Sequence, residues 1–160
     1  VGSTRTLGRT NTPLPLLTQN PILNTMPREI RDFFENYRDA FNALNGGAVA
    51  EFYAEPSGIT QDGTYTHWPE RKPVAKNMTA LCKLYEDKGF IRADFEPCQF
   101  IDQGDKYAVA DLQWRIEWNG GQKPWTFKTT YNLVRTEQGW KVLLCTAYSE
   151  AALHRATSAA

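Results

Sequence analysis

Residues 95–148 have the sequence FEPCQFIDQGDKYAVADLQWRIEWNGGQKPWTFKTTYNLVRTEQGWKVLLCTAY, in which large apolar side chains recur at every second position. A period of two is typical of strands that bury one face. Asn119-Gly120-Gly121 and Glu137-Gln138-Gly139 interrupt the alternation with residues that favour tight turns. This region therefore predicts four consecutive strands, at residues 93–102, 106–118, 125–136 and 140–148.

The phase of each strand predicts which side chains face the interior. Between Lys106 and Trp118 one face is dry and the other is largely polar. Pro97 cannot donate a hydrogen bond to a neighbouring strand, which predicts a bulge or an edge position there. With the alternation continued through the last strand, the inward-facing side chains include Trp114, Trp118, Phe127, Thr129, Tyr131, Thr146 and Tyr148.

The preceding residues have helical periodicity instead. Apolar side chains at three- and four-residue spacing run from Ile30 to Leu44 behind Pro27, and Asn45-Gly46-Gly47 ends the run. Two further helices are predicted at 48–54 and 73–88, and two short strands lie between them at 58–61 and 64–67. This order predicts an α+β fold, a cone-shaped, strongly curved sheet of mixed or antiparallel strands with three helices packed over its concave face. Such an arrangement encloses a pocket.

The chain of 160 residues is long enough for one domain with a sizeable core. We place that domain at residues 28–150, after an N-terminal extension at 1–27 and before a C-terminal tail at 151–160. The extension has no acidic residue and no lasting period, and it is interpreted as a flexible or docking arm.

The composition argues against several classes of partner. The formal net charge is zero and the basic and aromatic residues are not interleaved in clusters, which argues against nucleic-acid binding. No apolar run is long enough to cross a membrane. Three widely spaced cysteines and two histidines argue against a disulfide framework or a metal site, and they favour a reducing, cytoplasmic location. No cofactor is predicted.

The order of elements and two short motifs resemble a known superfamily. The motifs are TYNLVR at 130–135 and Gly139-Trp140-Lys141-Val142, and a short helix ending in Phe52-Tyr53-Ala54-Glu55-Pro56 precedes them. From residue 28 to residue 148 the chain looks like the nuclear transport factor 2-like, or SnoaL-like, superfamily, and most like an uncharacterised bacterial group within it. The resemblance implies a cystatin-like cone fold, a hydrophobic pocket and a homodimer paired through the outer sheet face. Because the superfamily includes isomerases, cyclases, hydrolases and dehydratases alongside members with no known chemistry, the resemblance leaves the reaction open.

Asp62 is a candidate general base by this resemblance. In isomerase-like members the base lies shortly after the motif that Tyr53-Ala54 matches, close to the position of Asp62. Asp62-Gly63 is also a strong turn signal, and the turn interpretation ranks ahead of the base. The dry face of residues 106–118 lacks the acidic oxyanion donor of those enzymes, which counts against isomerase chemistry.

The other candidate site residues follow from the helix and strand phases. His67 is a second candidate base, and Tyr131 and Tyr148 are candidate donors to a carbonyl or an oxyanion. The side chains predicted to contact a ligand are Tyr37, Phe41, Trp114, Trp118, Phe127, Thr129 and Thr146. Each has a simpler alternative, because buried tyrosines usually bond a backbone carbonyl and large side chains fill a core. Trp68 is predicted to be exposed in a loop, as a lid or a dimer contact.

Two hypotheses follow. The first is a SnoaL-like pocket protein for a small apolar, ring-containing molecule, acting as a lyase, isomerase or hydrolase or binding without catalysis. An enzyme predicts Asp62 or His67 inside the cavity, within reach of a tyrosine hydroxyl. The alternative is a partner-binding homodimeric module, paired through an outer face that carries Tyr107, Val109, Gln113, Arg115, Thr126, Lys128, Thr130 and Asn132.

Overall fold

A computed structural model describes residues 25–148 of the chain. Within this range it has three helices and six strands: α1 (Arg28–Asn42), α2 (Gly46–Ala50), β1 (Tyr53–Gln61), β2 (Thr64–Trp68), α3 (Arg71–Asp87), β3 (Phe90–Asp102), β4 (Tyr107–Trp118), β5 (Trp125–Thr136) and β6 (Gly139–Tyr148). The predictions for residues 1–24 and 149–160 lie outside the described residues.

The six strands form one sheet in the order β2-β1-β6-β5-β4-β3. β1 and β6 are parallel, and the other neighbouring pairs are antiparallel. α1 and α3 cover the concave face, where most of the buried side chains form one core. The predicted α+β architecture, a curved mixed sheet with three helices, is therefore confirmed.

The first helix is amphipathic, as its spacing predicts. Ile30, Phe34, Tyr37 and Phe41 are buried at successive positions of one helical face. This stripe brings the ring of Tyr37 over the sheet, where its centroid lies 5.8 Å from that of Tyr131. The helix therefore places a tyrosine hydroxyl in the interior in addition to its apolar side chains.

α2 is short and lies directly against α3. Gly46 occupies the point of closest approach, because a Cβ there would overlap the backbone of Thr79. The predicted extension of this helix to Ala54 is wrong, because the chain enters β1 at Tyr53 and pairs there with β6. A long-range strand pairing thus overrides the local helical pattern.

A bulge in β6 reverses the side-chain phase of that strand. The ladder between β5 and β6 skips Leu143, because two successive β5 residues have Leu144 and Val142 as their partners. Val142 and Cys145 are both buried, although an unbroken alternation would place them on opposite faces. The predicted alternation from 140 to 148 is therefore wrong beyond the bulge.

A second irregularity, in β3, agrees with the prediction for Pro97. β3 is an edge strand, and its pairing with β4 shifts between Pro97 and Gln99. A residue without a backbone N–H is tolerated at both kinds of position. The predicted bulge and the predicted edge position are both confirmed here.

Trp68 is buried rather than exposed in a loop. It is the last residue of β2, it is 3% exposed, and its ring meets the Tyr53 ring edge-on at a centroid distance of 5.7 Å. The predicted lid or dimer contact is wrong because strand alternation turns His67 outward and Trp68 into the core.

Within residues 25–148, no helix is both long and apolar enough to cross a membrane. The same residues contain no cluster of three or more His, Cys, Asp or Glu side chains placed to hold a metal ion. Cys82, Cys98 and Cys145 form no disulfide with one another.

Candidate functional site

A cavity of about 380 Å³ lies between α3 and the concave face of the sheet. Small-molecule sites span roughly 300–1,000 Å³, so this volume suits a compact ligand. Its walls come from α1, α3 and every strand of the described sheet except β2. Most of the lining is aromatic or aliphatic and includes Phe41, Ile59, Leu81, Ile116, Trp125 and Phe127.

The inner end of the cavity holds two hydrogen-bonded pairs of aromatic side chains. The hydroxyl oxygens of Tyr37 and Tyr53 are 2.9 Å apart, and the indole N–H of Trp114 donates to the hydroxyl of Tyr131 at 3.0 Å. These four side chains, called the tyrosine cluster below, are at most 3% exposed. Because α1, β1, β4 and β5 each contribute one of them, the cluster exists only in the folded domain.

Burial determines the protonation of the tyrosine cluster. It raises the pKa of Tyr37, Tyr53 and Tyr131 well above the ordinary value of 10, and the neighbouring phenols and the Cys145 thiol add to that rise. The three hydroxyls therefore remain protonated at neutral pH. They supply hydrogen-bond donors and do not act as general bases.

The cavity wall carries no formal charge over the described residues. Among the side chains of residues 25–148 that line it, none is a carboxylate, imidazole, amine or guanidinium. Moving an unpaired charge from water into such surroundings costs several kcal/mol or more. The cavity therefore suits a neutral molecule.

The outer end of the cavity, called the mouth below, carries two carboxamides. Gln61 is the last residue of β1 and Asn77 lies on α3, and both are exposed as well as lining the cavity. Leu84, 42% exposed, lies two turns further along the same helix and also lines the cavity. α3 thus buries one stripe in the core and presents a second stripe to the cavity.

Five of the residues proposed from the sequence line the cavity: Tyr37, Phe41, Trp114, Phe127 and Tyr131. Trp118 and Thr129 are buried, as their phase predicts, but they are not part of its lining. Trp118 packs instead against the rings of Tyr85 and Phe90, with centroid distances of 5.7 and 6.4 Å. It contributes to the core beside the cavity.

Neither candidate base is part of the cavity lining. Asp62 is exposed in the turn between β1 and β2, with a positive φ of 48°, which favours the turn interpretation. His67 is exposed on the opposite side of the sheet, and its Nδ1 lies 3.2 Å from the hydroxyl of Tyr65. Its predicted place over the cavity is wrong, because alternation in β2 gives the inward position to Trp68.

Thr146 and Tyr148 also lie outside the cavity, on the convex face of the sheet. The hydroxyls of Thr146 and Thr60 are 2.7 Å apart, and the Tyr148 hydroxyl donates to Oδ1 of Asp111 at 2.6 Å. Their predicted placement in the cavity is wrong because the unpaired residue Leu143 exchanges the two faces of β6.

Four cavity residues of the mouth and inner end were missed from the sequence: Tyr53, Gln61, Asn77 and Cys145. Tyr53 falls in the predicted helical extension, and no local pattern indicates its pairing with β6. Val142-Leu143-Leu144-Cys145 is a run of four apolar residues that breaks the alternation, and this run is the signal that indicates the bulge. Gln61 and Asn77 resemble ordinary surface residues in the sequence.

Residues 28–150 match the family described as NTF2-like protein (DUF6841). No curated protein matches the sequence. A domain of unknown function with a cystatin-like fold from Nostoc punctiforme is 20% identical over 80% of this chain and 79% of its own, with a TM-score of 0.62. An NTF2-like protein with a cystatin-like fold from Novosphingobium aromaticivorans is 16% identical over 80% of this chain and 85% of its own, with a TM-score of 0.63. Aln2 from a Streptomyces species is 15% identical over 80% of this chain and 93% of its own, with a TM-score of 0.64.

At these identities the solved structures are similar to this chain in fold alone. The family match is more specific, because it covers most of the chain, and it agrees with the resemblance drawn from the TYNLVR and Gly-Trp-Lys-Val motifs. By that match over residues 28–150, the chain belongs to the NTF2-like family DUF6841.

Proposed function

We propose that this protein binds a small, neutral, apolar molecule that contains a ring and carries a carbonyl or a similar hydrogen-bond acceptor. The proposal is based on the tyrosine cluster at the inner end of an apolar cavity whose described lining has no formal charge. Sites of this kind gain affinity from apolar walls and fix the orientation of the ligand with a few polar groups.

The acceptor on the ligand is inferred from the hydrogens of the tyrosine cluster. Tyr131 accepts the N–H of Trp114 and is also hydrogen-bonded to Tyr37. Tyr37 is bonded in turn to Tyr53, and Tyr53 is hydrogen-bonded to the Cys145 thiol as well. Because a thiol sulfur is a weak acceptor, a carbonyl oxygen of a ligand at this end of the cavity is a better partner for the Tyr53 hydroxyl than Cys145 is.

The walls favour a ring next to that acceptor. The rings of Trp125 and Phe127 line the cavity as a stacked pair, with their centroids 4.3 Å apart and their planes 28° from parallel. Flat apolar groups pack well against aromatic rings. A compact ring system therefore fills the space better than a flexible polar chain.

Binding is favoured over lyase, isomerase or hydrolase chemistry because the described lining offers no carboxylate, imidazole or amine base. General acid–base catalysis needs a proton acceptor within about 3.2 Å of the reacting atom, directly or through one water. Asp62 and His67 lie outside the lining, and the phenols of the tyrosine cluster stay protonated. Polarisation of a carbonyl without proton abstraction holds a ligand and does not convert it.

The test is titration calorimetry with 4-cyclohexylcyclohexanone, which joins a ring ketone to an apolar ring. We expect saturable binding and a higher melting temperature, because a ligand at 100 times its Kd adds about 2.7 kcal/mol of stability. Ala147→Phe should abolish binding by filling the cavity that Ala147 lines. Leu143→Phe is the matched control, exposed on the same strand, and should retain it.

Two outcomes contradict the proposal. One is a flat titration with the wild-type protein up to the solubility limit of the ketone. The other is equal binding by the Ala147→Phe and Leu143→Phe variants, since that places the ketone outside the cavity.

We also propose a homodimer that pairs the convex faces of two sheets. Four large side chains on this face are exposed: Tyr65 at 59%, Tyr107 at 51%, Ile101 at 41% and Tyr148 at 37%. Exposed apolar surface rimmed by polar residues is typical of protein interfaces.

Light scattering after gel filtration tests the homodimer. The wild type and the control variant Leu84→Glu should have twice the mass of one chain, and Tyr107→Glu should have the mass of one chain. A wild-type protein with the chain mass contradicts this proposal.

We also propose that the protein is located in the cytoplasm. Cys82, Cys98 and Cys145 form no disulfide with one another, which suits a reducing compartment. Fractionation of the native cells should recover the protein with the cytoplasm, and recovery from an oxidising compartment contradicts the proposal.

A further inference from the structure

We infer that Trp125 is a specificity-determining residue of the cavity, whose indole N–H selects a ligand with a further hydrogen-bond acceptor remote from the tyrosine cluster. The inference rests on the proposed function, because it names an additional feature of the molecule that the same cavity binds. The observation behind it is a buried indole N–H that has no partner among residues 25–148.

Two tryptophans of the described residues line the cavity, and they differ in the state of their indole N–H groups. Trp114 donates to the hydroxyl of Tyr131 at 3.0 Å. Trp125 is 7% exposed and lines the same cavity, but its indole nitrogen is buried and meets no acceptor within residues 25–148. Because buried polar groups are nearly always hydrogen-bonded, a buried donor without a partner in a cavity wall indicates an acceptor that arrives with a ligand.

The ladder between β4 and β5 places Trp125 far from the tyrosine cluster. Tyr131 pairs with Ala110 on β4. Trp125 pairs with Ile116, and the register between the two pairs is unbroken. Trp125 and Tyr131 are therefore six positions apart on the same face of β5, a backbone distance of about 20 Å. The acceptor that Trp125 bonds is a different atom of the ligand from the one at the tyrosine cluster.

Apolar side chains line the cavity between these two positions. Phe127 lies two residues from Trp125 towards Tyr131, and Ala147 pairs with the next inward position of β5. Polar atoms of a ligand at this level would lose water without gaining a hydrogen bond. The ligand class is therefore an apolar ring system that separates two neutral acceptors, such as a carbonyl and an ether or a second carbonyl.

The burial of the Trp125 nitrogen explains why a ligand is needed to satisfy it. Water does not reach the nitrogen in the free protein, so the N–H remains unsatisfied there. A small rotation of the indole about its Cβ–Cγ bond turns the N–H towards the cavity. Contact with the apolar part of a ligand stabilises the rotated ring, and the new hydrogen bond removes the cost of a buried donor without an acceptor.

Pairs of probes that differ by one atom test this selection by titration calorimetry. The first pair is 4-cyclohexylcyclohexanone and 4-(oxan-4-yl)cyclohexanone, in which an ether oxygen replaces the CH₂ group farthest from the ketone. The second pair has a two-carbon linker between the rings, which increases the separation of the oxygens. One additional hydrogen bond should make the better oxane bind about 2- to 12-fold more tightly than its matching plain ketone.

The variant Trp125→Phe removes the indole N–H and keeps an aromatic ring beside Phe127. In this variant the oxane should bind more weakly than its plain ketone, because the ether oxygen loses water without gaining a donor. Trp140→Phe is the matched control. The indole nitrogen of Trp140 is also buried without a partner in the described part of the chain, but Trp140 does not line the cavity. The oxane should keep its advantage in the control.

The indole protons of the wild-type protein give a second measurement that depends on no substitution. In a ¹H–¹⁵N spectrum assigned through the backbone, the Trp125 indole proton should move downfield when the oxane is added, because a hydrogen bond deshields the proton. The plain ketone should move it much less. The Trp140 indole proton should not move with either probe.

The outcomes separate this inference from the proposed function. Equal binding of plain ketones and oxanes by the wild type, or an oxane advantage that persists in Trp125→Phe, overturns the role of Trp125 and leaves the proposed function intact. A Trp125 indole proton that is already hydrogen-bonded in the free protein also overturns it, since the chain itself then supplies the acceptor. Failure of every probe to bind contradicts the proposed function instead.

Discussion

Tyr131 and Tyr148 lie on adjacent strands of one sheet and have opposite surroundings. Tyr131 is 3% exposed on the concave face, where its hydroxyl accepts an indole N–H at 3.0 Å. Tyr148 is 37% exposed on the convex face, where its hydroxyl donates to a carboxylate of Asp111 at 2.6 Å. Partial burial and the Asp111 carboxylate raise the pKa of Tyr148 to about 12. The same residue type therefore serves a dry cavity on one face and a charged surface pair on the other.

The two hydroxyls differ in whether water can replace a hydrogen bond that is lost. On the convex face water replaces any hydrogen bond that is lost, so the pair with Asp111 contributes little net stability. On the concave face a lost bond leaves a buried donor without an acceptor. Four substitutions and one pH series test whether the two faces differ in this way.

The largest difference is expected from apolar truncation in β4. Leu112 is fully buried on the concave face, so Leu112→Ala should lower the free energy of unfolding by about 2–5 kcal/mol. Gln113→Ala, the next residue on the convex face, should change it by no more than about 0.5 kcal/mol. Urea unfolding at neutral pH measures both. Similar losses in the two variants contradict the distinction between the faces.

Removal of the two hydroxyls should have a smaller and still unequal effect. Tyr131→Phe leaves the indole N–H of Trp114 buried without its acceptor, which should cost about 1–3 kcal/mol. Tyr148→Phe should cost less than about 1 kcal/mol, because Asp111 then bonds water. Denaturant midpoints of the two variants, measured with the wild type, give the comparison. A larger loss for Tyr148→Phe is incompatible with it.

The smallest effect is a dependence of the Tyr131→Phe penalty on alkaline pH. Because burial raises the pKa of Tyr131 above 10, the unfolded chain releases this proton first as pH rises. The contribution of the neutral phenol is complete below about pH 10 and declines above it. The penalty for Tyr131→Phe should therefore shrink steadily between pH 9 and pH 11.

Urea unfolding at pH 9, 10 and 11 measures this change. Gln113→Ala removes no titrating group, so its small effect should be the same at each pH. A penalty for Tyr131→Phe that is constant over this range shows that Tyr131 ionises equally in the folded and unfolded chains.

Much of the sheet was predictable because each strand buries one face against the same core. β5 has the predicted bounds, Trp125–Thr136, and β4 differs from its prediction by one residue. The inward positions of Trp114 and Tyr131 follow from the same alternation. With Tyr37, which follows from the buried stripe of α1, three of the four residues of the tyrosine cluster were therefore predictable from the sequence.

The rest of the site depends on contacts between distant parts of the chain. Tyr53 reaches the cavity because β1 runs parallel to β6, a pairing between residues far apart in sequence. Cys145 faces inward, and Tyr148 outward, because the ladder to β5 skips Leu143. His67 faces away from the cavity because β2 extends to Trp68, and in an alternating strand the buried Trp68 takes the inward position.

The sequence by itself determined the α+β architecture, and for β4 and β5 it determined both the bounds and the dry face. Hydrophobic periodicity records which side of each element is buried. Only the tertiary structure decided which hydroxyls share the cavity and that no candidate base lines it among the described residues. A single unpaired residue in one ladder exchanges the faces of everything beyond it, and such pairing is a property of two strands together rather than of either sequence.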